Sequence, residues 1–182
     1  MEKQLKFKRN LILTTLVVFG LIAQNAISQP VVGLDNWYNH ETNAKTGKPF
    51  HYLWTDTESS GYSRWGDIFT GRGAKITSIG RPSAIVLSKI NVYIIVDPDT
   101  TTETPYPNYL ASADIKAIKQ WVKNGGVLAV LAHDATNCKF THLNMLMSEF
   151  GMTFNNVKLH HVTGTNFEMG ASKNLPDHQF CK

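Results

Sequence analysis

Apolar runs and amphipathic stretches alternate along the chain after residue 30. Short apolar runs predict β-strands at 31–35, 74–79, 92–96 and 127–132, with a last candidate at 153–162. Between them, apolar positions recur at helical spacing over 61–70, 112–123 and 143–150, and Tyr62, Trp65, Ile68 and Phe69 share one face of the first of these. The segment 82–88 is predicted to be a short connection. The runs VYIIV and VLAVLA are apolar at every position, which is typical of strands buried on both faces. Strands that alternate with helices predict βαβ units around a parallel sheet.

This pattern predicts a three-layer α/β domain of the doubly wound, flavodoxin-like type. Two polar loops, at 36–57 and 100–110, are longer than simple connections, and long loops in compact domains are often functional. The domain is expected to cover 29–171, because the residues near the end of the chain have neither a helical nor a strand pattern. They form an irregular tail at 172–182, and truncation of the domain at its C-terminus is a hypothesis that the downstream reading frame would test.

Residues 1–28 have the pattern of a cleaved secretory signal peptide. Four basic side chains precede the apolar run LILTTLVVFGLIA, and Ala26 and Ser28 are small residues where a signal peptidase would read them. The run is shorter than the roughly 20 residues of a membrane span, and an uncleaved anchor is the alternative. The pattern predicts a secreted or periplasmic protein with no stable membrane span after cleavage.

The net charge of +4 on this chain of 182 residues is concentrated in the same segment. Residues 1–28 hold four basic side chains and one acidic one, so the remainder is nearly neutral and shows no footprint for nucleic acid. With 42% hydrophobic and 18% charged residues, the composition excludes disordered, collagen-like and coiled-coil chains. Cys138 and Cys181 are too few for a disulfide scaffold; they could pair after export or remain thiols.

Polar side chains collect where the predicted strands end. In an open parallel sheet, ligands bind beyond the carboxyl ends of the strands, and both long loops leave from that edge. Flat aromatic rings mixed with hydrogen-bonding groups suit a sugar, whereas the alternative is a small aromatic core under the first loop. The candidate ligand-binding residues are Asp35, Asn36, His51, Tyr52, Trp54, Asp97, Asp99, His133, Asp134, Asn137 and His142.

Catalytic and metal chemistry have weaker support. Spacing alone singles out neither a metal motif nor a glycosidase acid among the strand-end aspartates, and such carboxylates also serve as loop anchors. A nucleophile elbow should follow VLAVLA, where the chain has His133 and Asp134 in place of serine or cysteine. We therefore predict no catalytic residue, no metal and no cofactor. The metal ligands considered are Asp97, Asp99, His133, Asp134 and His142.

Five stretches carry a resemblance to a known family. They are VVGLDNWYNHE, GKPFHYLWTDTESSGYSRWGDIF, VYIIVDPDT, KQWVKNGGVLA and NCKFTHLNMLMSEFGMTFN. Together they resemble the N-terminal, class I glutamine amidotransferase-like accessory domain of secreted Bacteroidetes unsaturated rhamnogalacturonyl hydrolases, in glycoside hydrolase families 105 and 88. The resemblance covers about residues 31–171 and implies a flavodoxin-like sheet.

The resemblance implies a role in the breakdown of pectin and rhamnogalacturonan without catalysis by this chain. In that family, hydrolysis belongs to a separate α/α toroid for which this chain has no room, and amidotransferase chemistry would need the missing elbow cysteine. We expect an accessory domain that binds a pectic oligosaccharide or docks on a glycoside hydrolase domain. The alternatives are a carbohydrate hydrolase of which this chain is a fragment, and a purely structural module.

Overall fold

A four-stranded, all-parallel sheet is the central layer of the computed structural model, which describes residues 28–58, 60–133 and 135–157. The predicted tail, Asp134, Cys181 and all of the predicted signal peptide except Ser28 lie outside these residues. The strands pair in the order β2-β1-β3-β4. They are β1 (Val31–Asp35), β2 (Lys75–Ile79), β3 (Val92–Val96) and β4 (Val127–Leu131). The predicted α/β architecture with a parallel sheet is therefore confirmed.

One helix follows each strand, and the first three connect a strand to the next. They are α1 (Ser63–Gly71), α2 (Ala84–Leu87), α3 (Ser112–Lys123) and α4 (Phe140–Met147), the last continuing into a 3-10 turn at Ser148–Phe150. The predicted ends of α3 are explained by its caps. At its start, the Asp114 carboxylate accepts the Ala111 N–H at 3.1 Å. Just beyond its end, Gly125 has a φ of +100°, which ends the helix. Within the described residues, no helix has both the length and the apolarity needed to cross a membrane.

Two apolar cores lie on opposite faces of the sheet, because alternate side chains of a strand point to opposite sides. On one face, Tyr93 and Ile95 of β3 pack with buried residues of α3 and α4. On the other, Ile94 and Val96 join a cluster that the aromatic side chains of α1 and the first loop cover. Gly33 in β1 packs closely against the first core, since a Cβ there would lie 2.9 Å from the Ile90 Cδ1 atom. This double burial of β3 confirms the prediction from VYIIV.

The strand at VLAVLA is less buried than its sequence predicts. Val127 and Leu131 are 56% and 39% exposed, because β4 is an edge strand of the sheet that the described residues form. A run of apolar residues indicates that the side chains of a strand can be buried on both faces. It does not indicate whether another strand pairs with that strand. The candidate strand at 153–162 lies partly outside the described residues, and its described part, 153–157, contains no strand.

Two further predictions need local corrections. The first α-helix begins at Ser63 instead of Gly61, because the Tyr62 N–H donates to Leu53 in the preceding loop. Its Ile68, predicted to share the buried face, is 57% exposed. The segment 82–88, predicted as a plain connection, contains α2, whose N-cap Ser83 accepts the Val86 N–H at 3.2 Å.

Candidate functional site

Asp35, at the end of β1, anchors the first long loop. One carboxylate oxygen accepts the N–H groups of Tyr38 and Asn39 at 2.8 and 3.2 Å, and the other accepts the Tyr93 hydroxyl at 2.7 Å. Burial raises the pKa of Asp35 to about 7, although these hydrogen bonds oppose the shift. Asp35 is 2% exposed, so the structure makes it an internal anchor and leaves it out of reach of a ligand.

Asp99 joins the two long loops. Its Oδ2 accepts the His40 N–H at 3.0 Å and the Thr104 hydroxyl at 2.8 Å, and its own N–H donates to the Tyr38 carbonyl. The side chain is fully buried, and its Oδ1 has no hydrogen-bond partner in the part of the chain that the structure describes. Burial raises the pKa of Asp99, whereas the hydrogen bonds from His40 and Thr104 lower it.

Asp97 lies at the carboxyl end of β3 and contacts both neighbouring segments. Its Oδ1 accepts the His133 N–H at 3.0 Å just after β4, and its Oδ2 accepts the Tyr52 hydroxyl at 3.2 Å. The Asn39 side-chain amide donates to its carbonyl at 2.9 Å. Three of the predicted residues, Tyr52, Asp97 and His133, are thus brought together as the strand-end pattern predicts.

A cleft of about 200 Å³ opens between these groups at the carboxyl edge of the sheet. Its polar groups come from Tyr52, Tyr62, Asp97 and His133, and its apolar floor from Val96, Leu131 and Ala132. Burial is the main reason why the pKa of Tyr52 rises well above its ordinary value and that of Tyr62 rises to about 12, so both hydroxyls stay protonated at neutral pH. The cleft therefore offers two neutral hydroxyl groups and aromatic faces beside one carboxylate.

The backbone is strained around this cleft. His51, Tyr52 and Asp97 have φ values of 62°, 45° and 37°, and they are the non-glycine residues with positive φ in the described structure. Such conformations cost free energy and persist where surrounding contacts enforce them, often at binding sites. Here the Tyr52 N–H donates to Ser60 and the His51 ring lies 2.6 Å from the Ser60 hydroxyl, which hold the loop in place.

The other predicted residues that the structure describes lie outside the cleft lining. Trp54 packs beneath the loop, and its indole N–H donates to the Thr77 carbonyl of β2 at 2.9 Å. His142 stacks on Tyr109 with ring centroids 4.2 Å apart. Asn36 is exposed, and Asn137 lies beside the His133 ring, with its amide nitrogen 3.2 Å from Nδ1. The alternative of an aromatic core under the first loop therefore applies to Trp54, and also to Tyr38, which is fully buried.

An acidic cluster lies between the two long loops. Glu41 and Glu103 each bring a carboxylate oxygen within 4.8 Å of one another and of Asp99. Burial, followed by the charges of Glu103, Asp99 and Asp97, raises the pKa of Glu41 to about 7. Among the described residues this is the group whose geometry suits a metal ion, and it shares only Asp99 with the ligands considered from the sequence.

Tyr62, Glu41 and Glu103 were missed as site residues by reasoning from strand ends. Tyr62 reads in the sequence as part of a helix face, and the two glutamates occur in loops without a metal-binding motif. The signal that could have found the glutamates is that both loops leave the same sheet edge and each carries one.

Comparisons with protein-family models, with curated proteins and with solved structures give no match for this chain.

Proposed function

We propose that this chain is an exported, non-catalytic accessory domain that binds a pectic oligosaccharide at the carboxyl edge of its sheet. The observation that carries the proposal is the cleft between Tyr52, Tyr62, Asp97 and His133. Its position agrees with the general rule for open α/β sheets, whose ligands bind beyond the carboxyl ends of the strands. The pectic identity of the sugar comes from the resemblance to the accessory domain of rhamnogalacturonyl hydrolases.

The strand order supports the finer fold assignment on which this proposal draws. A flavodoxin-like sheet has the order 2-1-3-4-5, and the described strands follow it through the fourth position. The two apolar cores on opposite faces agree with the three-layer arrangement of that fold. We therefore propose a flavodoxin-like domain of the class I glutamine amidotransferase-like kind, without the elbow cysteine.

The cleft has the chemistry that a sugar ring requires. A pyranose offers an apolar face to an aromatic ring and hydroxyl groups around its edge. Tyr62 supplies such a ring, while Asp97 and the two tyrosine hydroxyls supply acceptors and donors. Small-molecule sites usually measure about 300–1,000 Å³, so this smaller cleft fits one sugar unit of a longer chain.

The polar groups around the cleft suit binding better than catalysis. Both carboxylate oxygens of Asp97 already accept hydrogen bonds, from His133 and Tyr52. Asp35 is almost fully buried and Asp99 completely so, which leaves neither placed for a glycosidic oxygen. General acid catalysis requires a group within hydrogen-bond reach of the bond that it protonates.

Calorimetric titration with rhamnogalacturonan oligosaccharides tests the proposal. We expect Tyr62→Leu to weaken binding about tenfold or more, because leucine keeps apolar bulk but loses the flat ring and the hydroxyl. Tyr106→Leu is the matched control, since Tyr106 is 88% exposed and is not part of the cleft lining. Equal loss in both variants, or no binding by the unmodified chain, would contradict an oligosaccharide site at this cleft.

Release of the unsaturated sugar from a rhamnogalacturonan disaccharide distinguishes the hydrolase alternative. The accessory-domain proposal predicts no turnover by this chain alone. If the chain turns over the disaccharide and Asp97→Asn abolishes that turnover, the cleft is a catalytic site and not only a binding site. Turnover that persists in that variant would arise from another site or from a contaminating enzyme.

A second candidate function is docking on a hydrolase domain, and an apolar groove favours it. The groove, of about 390 Å³, lies beside β4 and is lined by Val122, Leu128, Val130, Met147, Phe150, Met152 and Phe154. Apolar surface of this kind is typical of protein contacts. Met152→Lys should weaken association with a rhamnogalacturonyl hydrolase catalytic domain, whereas Val157→Lys, at a similarly exposed position outside the groove, should not.

A further inference from the structure

The two long loops place three carboxylates close together at the sheet edge. Glu41 comes from the first loop, Asp99 and Glu103 from the second, and one oxygen of each lies within 4.8 Å of the others. Glu41 and Glu103 are partly buried, and Asp99 is fully buried. Three negative charges at this separation repel one another strongly unless protons or a cation neutralise them.

Asp99 adds an independent observation. Its Oδ2 accepts two hydrogen bonds, whereas its Oδ1 is sealed from solvent and accepts none from the described residues. A buried carboxylate oxygen without a donor is uncommon, because removing it from water costs free energy that no protein contact restores. The missing partner is therefore one that the side chains described around Asp99 do not supply.

The remaining contacts of the cluster hold its side chains in place. Glu103 accepts the Thr100 N–H at 3.0 Å and the Thr100 hydroxyl at 3.2 Å through one oxygen, Oε2. His51 Nε2 lies 3.9 Å from Glu41, and His40 Nδ1 lies 3.2 Å from Asp99 Oδ2. Burial lowers the pKa of His51, which reduces the charge that it brings to Glu41. Glu103 itself has a raised pKa, from burial and then from the charges of Asp97 and Asp99.

We propose that Glu41, Asp99 and Glu103 bind a divalent cation, with Ca²⁺ as the best fit. The donor set consists only of carboxylate oxygens, which hard cations prefer over transition metals. Ca²⁺ takes six to eight oxygen ligands in flexible geometry, whereas Mg²⁺ usually binds through one or two carboxylates and keeps its waters. Three carboxylates contributed by two loops therefore favour the larger ion, which would join the first loop to the second.

Thermal unfolding of the full chain, in chelator and in 1 mM CaCl₂, tests the site without any sugar present. A cation that binds only the folded state raises the melting temperature, and we expect a rise of about 5 °C at a hundredfold excess over Kd. In Glu41→Gln and Glu103→Gln, Ca²⁺ should raise the melting temperature by no more than half as much. The Kd for Ca²⁺, measured by calorimetric titration, should increase about tenfold or more. MgCl₂ at the same concentration should give a smaller rise.

The melting temperatures measured in chelator give a second test, in which the variants should differ from the unmodified chain in the opposite direction. Removing one of three mutually repelling charges should raise the melting temperature of the cation-free protein in Glu41→Gln and Glu103→Gln. Glu58→Gln is the matched control, since Glu58 is exposed in the same loop, and both of its melting temperatures should equal those of the unmodified chain. The proposal is overturned if the unmodified chain shows no rise with Ca²⁺, or if both variants keep the full rise.

Discussion

Asp35 is the last residue of β1 and Asp99 lies just after the neighbouring β3; both are buried, yet their surroundings differ in one respect. Asp35 has a donor for each carboxylate oxygen, from Tyr93 on one side and from the first loop on the other. Among the described residues, Asp99 has donors for Oδ2 alone. The protein itself supplies hydrogen-bond donors to both oxygens of Asp35, whereas Oδ1 of Asp99 is left to bind a water, an ion or a ligand.

The comparison separates two uses of the same residue type at the same edge of the sheet. A buried polar group that is fully hydrogen-bonded contributes to one unique arrangement of the chain. A partly satisfied group costs stability, and in natural proteins such a group calls for an explanation such as an ordered water, an ion or a functional role. Asp35 therefore belongs to the fold, while Asp99 belongs to both the fold and the proposed cation site.

The largest effect is expected from Asp35→Ala. The substitution leaves the buried Tyr93 hydroxyl and two backbone N–H groups without an acceptor, so the free energy of unfolding should fall by about 4 kcal/mol. Urea denaturation at pH 7 measures this change. Asp67→Ala, on the exposed side of α1, is the control and should change stability by less than about 0.5 kcal/mol.

The next effect is a pH dependence that Asp35→Asn removes. Its pKa is about 7 in the folded chain against the ordinary 3.8, so between these values the folded state holds a proton that the unfolded state has lost. The free energy of unfolding should therefore fall as pH rises from about 4 to about 7, by up to 1.4 kcal/mol per pH unit, and level off above. Denaturation curves at several pH values measure the slope.

Because Glu41 also has a pKa near 7, only the difference between the unmodified chain and the Asp35→Asn variant isolates Asp35. Equal slopes in the two proteins would mean that Asp35 does not hold a proton in this range. In that case the contrast with Asp99 would rest on hydrogen bonding alone.

The sheet could be predicted because its signal is local. β1, β2 and β3 each begin within one residue of their predicted starts, since short apolar runs and their flanking turn residues lie within the strands themselves. The exposure of β4 could not be predicted, because it depends on which other strands pair with it. Ile68 is a similar case: its spacing allows burial, but Trp65 and Phe69 occupy the apolar face of α1.

For the site, the sequence could predict the edge of the sheet at which it lies, but not which side chains contact one another there. Strand ends indicated Asp35, Asp97 and Asp99 because the carboxyl ends of parallel strands share an edge. The path of the long loops decided which side chains lie next to them, and that path depends on contacts distant in the sequence. The hydrogen bond from His40 to Asp99 and the position of Glu41 are both of this kind.

Tyr93→Phe would leave Oδ1 of Asp35 without its donor, as Oδ1 of Asp99 is among the described residues. The substitution removes the hydroxyl that donates to Oδ1 and keeps the ring in the core. We expect a loss of about 1.5 kcal/mol in the free energy of unfolding, smaller than for Asp35→Ala because the two N–H donors keep their acceptor. Denaturation at pH 8, where Asp35 is ionised, should show a larger loss than at pH 5, where its proton still neutralises it.

The smallest effect is expected from Thr104→Val, which removes one of the donors to Asp99 Oδ2 and keeps the side-chain shape. The His40 N–H still donates to that oxygen, so in chelator the free energy of unfolding should fall by only about 1 kcal/mol. Thr101→Val, at an exposed position in the same loop, is the control. A loss larger than that of Tyr93→Phe would contradict this expectation, because it would mean that the His40 N–H does not compensate for the donor that Oδ2 has lost.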